Sequence, residues 1–100
     1  MELNLERPLL FFDIESTGLS IVSDSIVELS FVKVFPDNHH EVKTWRVCPW
    51  DYSAGKQKSI DPGASQVNGI KDEDVANEPK FIEIAPEVVE WLKDSDLVGY

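Results

Sequence analysis

The sequence predicts an α/β fold: a mixed sheet that starts with three antiparallel strands, runs through a helix and reaches the start of a fourth strand. Three observations carry this. An apolar run, Leu9-Leu10-Phe11-Phe12, precedes two acidic residues and a glycine turn. Two segments rich in Ile, Val, Phe and Trp, residues 25–35 and 41–48, flank Pro36-Asp37-Asn38-His39-His40, a composition that reverses a chain. Apolar residues then recur at helical spacing between Lys80 and Asp94, and Leu97-Val98-Gly99-Tyr100 begins another strand.

Taken in order, Met1 to Arg7 is a polar lead-in. The run from Leu9 to Phe12 is the mark of a strand buried on both faces. Side chains alternate along a strand, so Leu9, Phe11, Asp13 and Glu15 share one face, and Leu10, Phe12 and Ile14 the other. Ser16-Thr17-Gly18 turns the chain, and Leu19 to Ser25 is a loop. In the second strand, Val27, Leu29, Phe31 and Phe35 lie on one face with Lys33, while Ile26, Ser30, Val32 and Val34 lie on the other with Glu28. The third, Glu41 to Cys48, places Trp45 and Val47 on one face and Val42, Thr44 and Arg46 on the other.

Pro49 to Pro62 reads as irregular. Its Trp50 and Tyr52 either pack over the sheet edge or stack on nucleobases, and packing is the commoner fate. Lys56 and Lys58 form a small basic spot, which reads as a solvated loop before a phosphate contact. Ala64 to Val67 suits a short helix closed by Asn68-Gly69. Ile70 is a core anchor, and residues 71–75 form a second helical turn. In the helix from Lys80 to Asp94, Phe81, Ile84, Ala85, Val88 and Leu92 trace one face. Proline is tolerated only near a helix start, so Pro86 sets the well-formed beginning near Ile82.

Composition limits what the chain does. One hundred residues, 42% hydrophobic and 28% charged, make at most one globular domain. No apolar stretch is long enough to span a membrane, and the first eight residues carry no secretory pattern. A single cysteine, Cys48, excludes an internal disulfide and fits a reducing cytoplasm. His39 and His40 sit at a hairpin tip without a Cys or acidic cluster, and read as turn residues, not metal ligands. Nineteen acidic residues against nine basic ones leave a net charge of −10, the wrong sign for holding nucleic acid on a broad basic surface. Contact with a polynucleotide would run through bound metal and local groups, or with help from further sequence or a partner.

The chemistry lies in Asp13 and Glu15. Two carboxylates on one strand face repel each other, and a cation relieves that repulsion. Oxygen-only ligation suits Mg²⁺ or Mn²⁺, bound by one or two carboxylates together with substrate phosphates. Gly18 removes side-chain bulk where the backbone approaches a ligand. A bare D-x-E is common and alone reads as a solvated strand end. An apolar run followed by D-I-E-S-T-G-L is far narrower.

That pattern resembles the first motif of the DEDD-type (DnaQ-like) 3′-5′ exonucleases, the superfamily of the epsilon subunit of bacterial DNA polymerase III. A second stretch, P-G-A-S-Q-V-N-G-I-K-D-E-D-V from Pro62, resembles a segment that follows the third strand in this superfamily. There a histidine usually precedes Gly-Ile; this chain has Asn68, near the nucleotide in relatives. The resemblance implies an RNase H-like exonuclease fold, with residues 1–100 as the N-terminal portion of a single 3′-5′ exonuclease domain. No segment matches the motifs that carry the superfamily's remaining carboxylates and its general base.

The activity so implied is hydrolysis of phosphodiester bonds of DNA or RNA from the 3′ end by a two-metal-ion mechanism. Asp13 would bridge two Mg²⁺ or Mn²⁺ ions and Glu15 would hold one of them. Ser16, Thr17, Gly18, Leu19 and Asn68 would bind substrate: Thr17 and Gly18 through the backbone, Leu19 by apolar contact with a base. The implied partners are the 3′ end of single-stranded DNA or RNA, and a DNA polymerase subunit. Two other readings stand beside this one: a non-catalytic relative that binds metal, nucleic acid or a polymerase, and a structural α/β domain with an accidental D-x-E.

Overall fold

A computed structural model describes residues 6–18 and 25–99. Leu19, the rest of the 19–24 loop, residues 1–5 and Tyr100 lie outside the described residues. Among the described residues, six strands and three helices follow one another: β1 (Leu9–Ser16), β2 (Ile26–Val34), β3 (His40–Arg46), β4 (Trp50–Asp51), β5 (Lys56–Gln57), α1 (Pro62–Asn68), α2 (Asp72–Val75), α3 (Phe81–Leu92) and β6 (Asp96–Gly99). The main sheet has the order β3-β2-β1-β6. β1 and β2 are antiparallel, β2 and β3 are antiparallel, and β6 runs parallel to β1. This is the mixed sheet expected, with three antiparallel strands first and a helix leading back to the fourth.

The main core lies between the sheet and α3. Leu10, Leu29, Phe31, Trp45 and Val47 from the strands meet Ile84 and Val88 from the helix, with Phe12, Ile26 and Trp91 packed against them. Trp45 stands edge-on to both Phe31 and Trp91, with ring centroids 5.3 and 6.1 Å apart. These offset contacts add stabilisation beyond the area they bury. A second cluster gathers Val27, Ile60, Ile70 and Val75, so Ile70 is the anchor expected.

Four local expectations are corrected. The first is that β1 is not buried on both faces: Leu10 is wholly buried, but Leu9, Phe11 and Phe12 are only partly so. The strand also continues through Glu15 to Ser16, so both carboxylates stand on it. Second, the register slips between Glu15 and Ser16, where Glu15 faces Glu28 but Ser16 faces Ile26. This bulge interrupts strict alternation. Ile26 therefore joins the α3 core and Val27 the second cluster, although the sequence placed Val27 with Leu29. The third correction concerns residues 49–62, which hold a small antiparallel hairpin, β4–β5. Its turn is closed by Asp51, whose carboxylate accepts from Ser53 and Ala54 N–H groups, and Trp50 packs under the Lys80 ammonium at 4.0 Å.

The last correction is to α3. It begins at Phe81, one residue earlier than expected, with Pro86 inside it. Proline lacks the N–H that would donate to the Ile82 carbonyl one helical turn earlier, and Ile82 is 69% exposed. Its buried stripe is Ile84 and Val88 with Trp91 alongside; Phe81 and Leu92 remain exposed. Lys33 reaches across from β2 to donate to the Trp91 carbonyl at 3.0 Å, placing a cation at the negative end of the helix.

Candidate active site

Strand register sets the site. Asp13 faces Ser30, which faces Thr44; Glu15 faces Glu28, which faces Arg46. These six residues occupy the sheet face opposite α3, because paired residues share a face. Asp13 is exposed and Glu15 half-buried. Asp13 Oδ1 accepts the Ile14 N–H at 3.0 Å. Along these two rows Ser30 and Thr44 share a hydroxyl hydrogen bond of 3.0 Å, and Arg46 Nε donates to Glu28 Oε2 at 3.0 Å. The guanidinium thus compensates Glu28, which would otherwise meet Glu15 as a like charge directly across the strands.

The turn after β1 is clasped from three sides. Thr17 N–H donates to the Ser25 carbonyl at 2.8 Å, Ser25 N–H donates to Thr17 Oγ1 at 3.0 Å, and Asp61 N–H donates to the Thr17 carbonyl at 2.7 Å. Thr17 is 1% exposed. Its main-chain N–H and carbonyl and its hydroxyl are engaged within the protein. Ser16 Oγ–H donates to the Gly18 carbonyl, holding the turn compact.

Against this turn lies α1. Asp61 is its N-cap, accepting the Gly63 N–H at 2.8 Å, and Pro62 opens its first turn, where a proline loses no helical bond. Gly69 closes it in the left-handed conformation at φ 73°, as Asn68-Gly69 foretold. Asn68 Oδ1 accepts the Ile70 N–H at 2.9 Å, and its Nδ2 donates to the Ser16 carbonyl at 3.4 Å. The two elements enclose a cleft of about 490 Å³ lined by Glu15, Ser16, Gly18, Asp61 and Asn68 among others.

The structure therefore brings Glu15, Ser16, Gly18 and Asn68 together in one cleft, with Asp13 two residues before Glu15 on the same strand face. Thr17 is its buried support, and Leu19 lies outside the described residues. Asp61 was missed by sequence reasoning. Its signal was the Asp-Pro pair opening a helix, which marks a cap but not the strand it faces.

Chemically the site offers carboxylate oxygens, the Asn68 amide, and a cleft wall that includes the apolar side chains of Ile14, Ala64 and Val67. Asp13 and Glu15 are an all-oxygen donor pair of the kind Mg²⁺ or Mn²⁺ takes when substrate phosphates complete its shell. Among the described residues no group of three or more His, Cys, Asp or Glu side chains is arranged to hold a metal ion, so the pair fits one part of such a site. His39 pairs with Asp37 and Glu41 and stacks on Phe35.

Comparison with known proteins shows the family and the fold. The chain is 31% identical over 99 residues to a PolC-type DNA polymerase III of Caldanaerobacter subterraneus subsp. tengcongensis, covering 99% of this chain and 7% of that protein. It is 26% identical over 102 residues to the DNA polymerase III epsilon subunit of Treponema pallidum, covering 89% of this chain and 38% of that one. It thus spans well under half the length of these relatives. In fold it is similar to E. coli Exonuclease I in complex with a dT13 oligonucleotide, with a TM-score of 0.77 and 17% identity over 95% of this chain and 20% of that one. Residues 10–100 match the RNase T family, described as exonuclease, and the chain belongs to that family, as a DEDD-type, DnaQ-like exonuclease domain with an RNase H-like fold.

Proposed function

We propose that residues 1–100 form the N-terminal portion of a 3′-5′ exonuclease domain that hydrolyses phosphodiester bonds at the 3′ end of single-stranded DNA or RNA. The observation that carries this is the Asp13–Glu15 pair on one strand face beside a cleft walled by Gly18 and Asn68. Asp13 and Glu15 would hold Mg²⁺ or Mn²⁺. Such ions, when bound, supply the positive charge that activates water and stabilises a leaving 3′ oxygen.

The chain's own residues do the placing. Asn68 and the Ser16–Gly18 turn receive the terminal nucleotide, and Asp61 and Thr17 keep that turn fixed. Nucleic acid as ligand is supported by the named complexes of the similar E. coli Exonuclease I, which include a metal-free and a zinc-bound form with single-stranded DNA. A polymerase partner is supported by the PolC-type and epsilon-subunit relatives. A cytoplasmic location fits the buried, unpaired thiol of Cys48.

By itself the 100-residue chain should not cleave, because it lacks matches to the remaining carboxylates and general base. General-base catalysis typically contributes about 10²–10⁴-fold. In a longer protein carrying this chain, a 5′-labelled strand followed on a gel should shorten from its 3′ end with Mg²⁺ or Mn²⁺ and persist in EDTA. Asp13→Ala and Glu15→Ala should each abolish shortening. Internal cuts, or equal cutting in EDTA, would rule the reading out. Oligonucleotide binding without cleavage in the longer protein would favour the non-catalytic relative.

A further inference from the structure

We propose that Arg46 is a substrate-binding residue, contacting a nucleic-acid phosphate other than the scissile one. This rests on the exonuclease reading and extends its substrate path across β2 to β3. A chain of net charge −10 has little general attraction for a polyanion, so local cations decide where one lies. Lys33 and Lys43 fall on the α3 side of the sheet, paired in register with Leu10 and Phe31. On the carboxylate face, Arg46 is the only Lys or Arg among the residues of β1, β2 and β3.

Its placement suits the task. Arg46 stands in the same row as Glu15, two strands away, roughly 10 Å across the sheet at ordinary strand spacing. Its side chain is 44% exposed. Only Nε is engaged among the described residues, by Glu28 at 3.0 Å. The terminal nitrogens of the guanidinium, the groups that fork onto a phosphate, are therefore left for a ligand. Stability alone gives a weak account of the row: an exposed ion pair contributes about 0–1 kcal/mol, and Glu28 faces Glu15 as a like charge. Glu28 instead holds the Arg46 side chain in place, so less conformational freedom is lost on binding.

The test is binding in EDTA, which separates contact from cleavage. In the longer protein carrying this chain, anisotropy of 5′-fluorescein-dT12 is measured against salt for wild type, Arg46→Met and Arg46→Lys, with dTMP binding followed by NMR shifts. Arg46→Met should weaken dT12 by about tenfold, the loss of one charged hydrogen-bonding group. Its salt dependence should become shallower by about 0.7. Binding of dTMP should not change, and Arg46→Lys should recover part of the affinity as a point charge. If Arg46→Met proves unfolded, Arg46→Lys decides, with a dT12 affinity below wild type at unchanged dTMP affinity as the expected result. Equal dT12 affinity and salt slope in wild type and the variant overturns the inference and leaves the exonuclease reading standing. Parallel weakening of dTMP and dT12, unrelieved by Lys, makes Arg46 structural and also overturns it. No dT12 binding by wild type removes the function reading itself, and this inference with it.

Discussion

At the scale of single residues, the carboxylate pair and its cleft neighbours respond differently to substitution. Asp13 is exposed and, among the described residues, its only side-chain bond is to the adjacent Ile14 N–H. Asp13→Ala should therefore change stability by less than about 0.5 kcal/mol, measured by urea denaturation, while removing metal binding. Calorimetric titration of Mn²⁺ should show weak binding to the wild-type chain, since two carboxylates supply few of the ligands required, and none to the variant. Equal binding by both would remove the metal assignment. Asn68 differs, because its side chain joins the Ile70 N–H to the Ser16 carbonyl. Asn68→Ala should cost about 1–2 kcal/mol by leaving partly buried groups unpaired, and should weaken nucleotide binding as well. Thr17→Val keeps the shape but leaves the Ser25 N–H without its acceptor, at a similar cost.

Among the elements, the hairpin between β2 and β3 carries a pH signature. The hydrogen bond to the Asp37 carboxylate raises the His39 pKa above 6.5, and hydrogen bonds from the His39 backbone and ring lower that of Asp37 below 3.8. The sign follows for each partner. The His39 contribution is present below its unfolded value and lost as pH rises through the raised folded one. The Asp37 contribution is present above its unfolded value and lost as pH falls through the lowered one. The hairpin tip should be firmest between about pH 3.8 and 6.5. In an NMR titration Asp37→Asn should lower the His39 midpoint toward its ordinary value, with Glu41 still raising it; an unchanged midpoint would dismiss the pairing. In the main core, Ile84 is the contact of α3 with the sheet that the helical period correctly named. Ile84→Ala should cost about 2–5 kcal/mol, read from the denaturation midpoint.

For the molecule as a whole, the sheet closes on β6 through one tight approach. Gly99 lies opposite Phe12, and a Cβ there would meet the ring at 2.9 Å. Phe12 packs against the main core, so Gly99→Ala should push the ring inward or part the strands. About 1–3 kcal/mol is expected for such overpacking, with thermal unfolding as the measurement. Apolar exposure is high for 100 residues: Val42 is 66%, Leu97 59%, Ile82 69% and Val67 89% exposed. We expect the isolated chain to unfold at modest temperature with low cooperativity. A sharp, high-temperature transition of the monomer would contradict this.

Local chemistry was legible in the sequence. Alternation placed Asp13 and Glu15 on one face, Asn68-Gly69 ended α1 because only a left-handed residue closes that helix, and helical period named Ile84 and Val88. These depend on neighbours a few residues apart. Tertiary structure decided what depends on register between distant segments. A one-residue bulge opposite Glu15 sent Ile26 and Val27 to different cores. Bonds from Ser25 and Asp61 made Thr17 a buried clasp of the turn after β1. The docking of α1 against the end of β1 made a cleft of Glu15 and Asn68, 53 positions apart. Strand pairing set Arg46 in the row of Glu15 and Gly99 against Phe12, because a strand's pattern states which face each residue takes but not which residue stands beside it.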